Sequence, residues 1–232
     1  MNKQNRVFEL DVLRGVAVVL MVIFHFGFDL AEFGYASYQT TVDLEWRVFR
    51  AVILSMFLVA VGMSSYLAYA QGVNRKKLFK NLAKLSLVSL VISVGSYMAF
   101  PHSWIYFGVI HFIVIALPLS LLFLHIPRVS LLLGLILVIA YPLGYLHMDY
   151  FHALGVEYLH IPSFTVDVVS LSPWFGMVLI GIFVMHKHIF DIKLSHNGFM
   201  RKMAFLGKHS LLIYLGHQPI LFGVFNLVRM LS

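Results

Sequence analysis

Long apolar runs separated by short polar connections dominate this chain, and their lengths predict helices that cross a bilayer. Seven such runs stand out, over 12–30, 49–70, 82–100, 105–124, 130–145, 173–185 and 210–230. The fifth and sixth are short for a span, so they are expected to extend into their flanks, tilt little or thin the bilayer locally. No internal repeat or long linker interrupts the series, which predicts a single domain over 1–232. The expected fold is all-α: one bundle of about seven transmembrane helices.

The first run carries polar groups where hydrocarbon should exclude them. Within FELDVLRGVAVVLMVIFHFGFDL (8–30) lie Asp11, Arg14, His25 and Asp29. Each costs several kcal/mol inside a bilayer unless it is paired or used. Arg14 and His25 are eleven positions apart, a rotation that returns to within about 20° of its starting direction while advancing about 16 Å. The two therefore share one helix face at two depths. Asp11 precedes the arginine by one turn and Asp29 follows the histidine by one turn, completing a broken polar stripe.

Composition agrees with a membrane location. The 232 residues are 60% hydrophobic and only 12% charged, and mean hydropathy is +0.88; soluble chains average about 45–50% apolar and 25% charged. There is no cysteine, which excludes disulfides, thiolate metal sites and a cysteine nucleophile. The first run contains charges and is followed by no small-residue cleavage site, so it is expected to be retained.

The net charge of +7 changes the picture only through its placement. With the N-terminus inside, thirteen of the seventeen Lys and Arg residues fall on the cytoplasmic side: Lys3, Arg6, the cluster from Arg75 to Lys84, Arg128, and Lys187, Lys193, Arg201, Lys202 and Lys208. That asymmetry predicts an N-in, C-out topology and removes the need for a nucleic-acid partner. The outer segment 146–172 has no Lys or Arg but holds His147, Asp149, His152, Glu157, His160 and Asp167. Its spacing matches no compact metal-ligand pattern, so a lip that contacts substrate is the better reading.

Two further histidines lie within apolar runs, His111 in WIYFGVIHFIVIAL and His217 in LLIYLGHQPILFG. Either suits hydrogen-bonded packing or, together with His25, a shared cavity. Gly216 and Pro219 would loosen the helix around His217 and free carbonyls. Ser86, Ser89, Ser93 and Ser96 follow helical spacing and read as a small-residue packing face, as do Gly62, Ser64 and Ser65. Histidine suits general-base work near neutral pH, and Asp29 or Asp11 would fix its tautomer or hold a counter-charge. Arg14 is either an inner-headgroup contact paired with Asp11 or an anchor for an anionic ligand, since guanidinium holds phosphate in a bidentate fork. The cytoplasmic lysines, Lys76 and Lys208 among them, set topology and can also contact an acidic cofactor.

The opening LDVLRGVAVVLMVIFHF (10–26) resembles the first helix of transmembrane acyltransferases, in which an arginine and a histidine are separated by ten residues. The chain most resembles the bacterial branch of the heparan-α-glucosaminide N-acetyltransferase catalytic-domain family. The motifs that carry the resemblance are FLVAVGMSS (57–65), WIYFGVIHF (104–112), SPWFGMVLIGI (172–182) and GKHSLLIYLGHQP (207–219). Seven spans are fewer than the ten or more of larger members.

The resemblance implies an acyl group, an acetyl in the first instance, moving from cytoplasmic acyl-CoA to an outward-facing glycan or amino-sugar amine or hydroxyl. It implies His25 as catalytic base or transient acyl carrier; Asp29, Asp11, His217 and His111 are further catalytic candidates from their own placement in the apolar runs. Arg14, Lys76 and Lys208 are the candidates for the CoA side. Acetyl-CoA is the only cofactor expected, with no metal; the location is a bacterial inner membrane, and assembly into a homo-oligomer stays open. The competing reading is a transporter or permease that uses the same stripe as a substrate or proton path.

Overall fold

The structure, a computed structural model, describes residues 7–146, 149–165, 167–190 and 192–231. Among them are nine α-helices: α1 (Phe8–Glu32), α2 (Leu44–Tyr69), α3 (Arg75–Ala99), α4 (Val109–Ser120), α5 (Pro127–Ala140), α6 (Asp149–Leu159), α7 (Leu171–His186), α8 (Gly198–Lys208) and α9 (Ser210–Leu231). Four of them, α1, α2, α3 and α9, are long and apolar enough to cross a membrane; the apolar helices α5 and α7 are shorter, as is the stretch Val109–Phe123. The chain is thus all-α and polytopic, and each of the seven apolar runs is helical over most of its length.

Two compact units divide the chain, one of residues 1–60 with 191–232 and the other of residues 61–190. In the first, α1 packs against α8 and α9. Met21 and Phe24 of α1 and Ile53 of α2 form a buried cluster, flanked by Leu20, Trp46, Phe49, Phe57 and Tyr214. Helix α8 lies outside the seven apolar runs. Its Asn197 cap accepts a hydrogen bond from the Met200 amide at 2.9 Å, and Met200, Met203, Ala204 and Gly207 follow the spacing of one helical face. Ala204 and Gly207 are buried, while Arg201, Lys202 and Lys208 are exposed.

In the second unit, α5 and α7 meet at two glycines. A Cβ added to Gly176 would lie 2.6 Å from the Gly134 carbonyl oxygen, so this backbone approach needs both residues bare. Ser65 and Ser120 share a buried hydroxyl hydrogen bond of 2.6 Å, which satisfies two polar groups within an apolar setting.

The fourth apolar run is shorter as a helix than its 105–124 extent predicted. Residues before Val109 are drawn out of the helix by competing bonds. The Ile105 amide donates to Ser96 Oγ at 2.9 Å, Ser93 Oγ donates to the Ile105 carbonyl at 2.8 Å, and Phe107 bridges Val168. At the other end Pro118 lies inside α4, which gives way to a 3₁₀ turn at Leu121–Phe123. The serine stripe on α3 is therefore more than a packing face, because two of its hydroxyls hold the strand-like approach to α4. Helix α6, within segment 146–172, is the other element that hydropathy does not predict.

Candidate active site

The polar stripe of α1 meets α9 at its C-terminal half. The rings of His25 and His217 lie edge to face with centroids 4.6 Å apart. One helical turn beyond His25, the Asp29 carboxylate is fully buried and accepts a hydrogen bond of 2.8 Å from Gln218 Nε2, 189 positions away in sequence. Asp29 is therefore tied to Gln218, the neighbour of His217 on α9.

Hydrogen bonding distinguishes the two histidines. His217 Nδ1 lies 2.7 Å from the Tyr214 carbonyl, and a carbonyl only accepts, so Nδ1 carries the proton and Nε2 carries a lone pair. That Nε2 is buried without a hydrogen-bond partner among the described residues. His25 Nδ1 is likewise buried and without a partner among the described residues. Of the six buried side-chain atoms without partners among the described residues, four are His25 Nδ1, His217 Nε2, Asp29 Oδ2 and Gln218 Oε1. Each such atom costs about 1–3 kcal/mol. Their concentration at one helix crossing makes that crossing the candidate site.

Nearer the start of α1, Arg14 Nη1 stands 3.5 Å from Asp11 Oδ1, with the arginine side chain 28% exposed and the aspartate 2%. Asp11 thus belongs to the arginine end of the stripe. Gly207 packs on the backbone of α1 at Asp11 and Gly15, which brings the exposed Lys208 to the same end of the helix as Arg14. Lys76 is exposed in the first turn of α3, in the other unit.

His111 also belongs to that second unit, and both its ring nitrogens are engaged. Nδ1 accepts from the Gly108 amide at 3.3 Å, so Nε2 is the protonated nitrogen and donates to Ser93 Oγ at 2.9 Å. The ring caps the start of α4 and ties it to α3. His152 stacks on Tyr106, with centroids 6.2 Å apart, and Glu157 and His160 are exposed; His147, Lys3 and Arg6 lie outside the described residues. No group of three or more His, Cys, Asp or Glu side chains suited to a metal ion occurs among the described residues.

Gln218 and the Tyr214 carbonyl are groups at this crossing that the sequence pattern did not single out. The dipeptide His217-Gln218 offered the one available signal: two polar residues in an apolar helix just before Pro219.

These features define a multi-pass membrane protein with a paired-histidine site between its first and last described helices. The catalytic model of heparan-alpha-glucosaminide N-acetyltransferase matches residues 6–219, nearly the whole chain, and the chain belongs to that family. No curated protein and no solved structure matches it. Membership implies an acetyltransferase enzyme with acetyl-CoA as donor.

Proposed function

We propose that the protein transfers an acetyl group from cytoplasmic acetyl-CoA to an outward-facing carbohydrate-like acceptor, its amine or hydroxyl, across a bacterial inner membrane. The seven apolar helices are its spans, N-in and C-out, as the positive-inside bias supports. Acetyl-CoA is too anionic to enter hydrocarbon, so Arg14 and Lys208 receive its phosphates at the inner mouth. Only the acetyl group needs to cross.

The observation that carries this reading is the His25–His217 contact with its two partnerless nitrogens. His25 attacks the thioester carbonyl with a ring nitrogen; the C–N bond forms, the C–S bond breaks, and the imidazole proton leaves with the CoA thiol. In the second half the acceptor replaces His25 on the acetyl carbon. His217, its tautomer set by the Tyr214 carbonyl, takes a proton from the acceptor at Nε2. The departing imidazole of His25 recovers its N–H from the second proton of the acceptor when that acceptor is a protonated amine, and from the proton that His217 has taken up when it is a hydroxyl. Asp29 serves the acceptor side through Gln218, and Asp11 orients Arg14.

His111, with both nitrogens satisfied, is assigned to packing.

Radiolabelled acetyl-CoA given to reconstituted protein without acceptor is expected to label wild type and His217→Ala but not His25→Ala. Label retained in His25→Ala, or substrate flux with no acetyl product in wild type, would remove the assignment.

A further inference from the structure

Three of the four partnerless atoms at the α1–α9 crossing have no chemistry open to them except acceptance. Asp29 Oδ2 belongs to a carboxylate, Gln218 Oε1 to an amide whose nitrogen already donates to Asp29 Oδ1, and His217 Nε2 to a ring protonated on its other nitrogen. Acetyl-CoA brings mostly acceptors, its thioester carbonyl and phosphates, so it does not complement this trio. A group with several N–H donors does.

We infer that Asp29 and Gln218 form the seat for a protonated primary amine on the acceptor, and that they select an amine over a hydroxyl at the same position. The inference rests on the acetyl-transfer reading and specifies which residues hold its acceptor. A primary ammonium has three N–H bonds and one positive charge: two bonds go to Asp29 Oδ2 and Gln218 Oε1, and the third points to His217 Nε2. The Asp29 side chain has no exposed surface, and a buried carboxylate with one oxygen unpaired is stabilised by an arriving cation. A hydroxyl brings one donor and no charge.

The seat also solves a chemical problem, since an ammonium has no lone pair and cannot attack. Proton transfer from R–NH₃⁺ to His217 Nε2 frees the pair. The nitrogen then bonds to the acetyl carbon, the bond from that carbon to His25 breaks, and the second amine proton goes to the departing ring nitrogen. The products are the amide, neutral His25 and protonated His217. Gln218 is a positioning residue for Asp29 as well as a contact, because its Nε2 fixes Oδ1 and leaves Oδ2 for the ligand.

The test uses the full chain in proteoliposomes with glucosamine and glucose as matched probes, which differ in an amine against a hydroxyl. Asp29→Asn keeps shape and removes charge, and Gln218→Met removes both the donated and the offered bond. The glucosamine KM is expected to rise about 10- to 100-fold in each variant, the range for hydrogen bonds to a charged group, and the preference for glucosamine over glucose, as the ratio of their kcat/KM values, is expected to fall about tenfold or more. An unchanged glucosamine KM, or equal losses on both probes together with a lower melting temperature, overturns the inference in favour of packing. Calorimetric binding of glucosamine without donor separates the two levels. Asp29-dependent binding without any acetyl transfer by wild type would keep the amine seat and discard the acetyltransferase reading; no Asp29-dependent binding discards the seat.

Discussion

Gly207 of α8 approaches Asp11 of α1 so closely that an added Cβ would lie 1.8 Å from the Asp11 carbonyl oxygen. The same crossing brings Gly15 against Met203, whose carbonyl oxygen would be 1.9 Å from a Cβ at Gly15. Both obstacles are backbone, which cannot swing aside as a flexible side chain does. This contact holds a basic amphipathic helix against the Arg14 end of the polar stripe.

Gly207→Ala and Gly15→Ala are accordingly expected to separate α1 from α8 and to destabilise the protein by about 1–3 kcal/mol. Thermal unfolding in detergent measures it. Gly95→Ala in α3, where nothing lies within 4 Å of the added atom, should be neutral or stabilising by up to about 1 kcal/mol. Equal behaviour of all three would contradict the close packing.

Removal of the proton acceptor should slow turnover without unfolding the chain. His217→Ala is expected to lower kcat about 10²- to 10⁴-fold, the usual contribution of a general base. Steady-state acetyl transfer against the wild-type melting curve reads both quantities, and a decrease below tenfold would take the proton-transfer role from His217.

His111→Ala should behave in the opposite way. It leaves the Gly108 amide and Ser93 hydroxyl to find other partners, at a cost of about 1–3 kcal/mol in stability. Below the melting transition kcat is expected to fall less than tenfold. A loss of kcat as large as that of His217→Ala would return His111 to the chemistry.

The donor side separates from both by choice of substrate. Arg14→Gln is expected to raise the KM for acetyl-CoA about tenfold or more, the value of a charge-assisted phosphate contact. A short acetyl thioester lacking the nucleotide should be used equally well by variant and wild type. If both donors suffer alike, Arg14 acts on the helix and not on CoA.

Much of this protein is determined within single stretches of its sequence. Apolar length marks the membrane helices, and the eleven-step interval from Arg14 to His25 places two ionisable groups on one face, because helix periodicity is a local property. The family motifs are local in the same sense. Amphipathic α8, with Asn197 at its start and Met200, Met203, Ala204 and Gly207 on one side, was legible too, but a search for hydrocarbon-length runs passes over an eleven-residue helix.

Tertiary structure alone decided which polar groups meet. His111 and His217 look alike in sequence, each a lone imidazole in an apolar run, yet one has both nitrogens bonded and the other keeps a free lone pair. Asp29 was expected to serve a histidine and instead accepts from Gln218, 189 positions away. Periodicity shows where a side chain points from its own helix. The packing of another helix determines what it meets there, and with it the proton on a ring nitrogen or the open oxygen of a carboxylate.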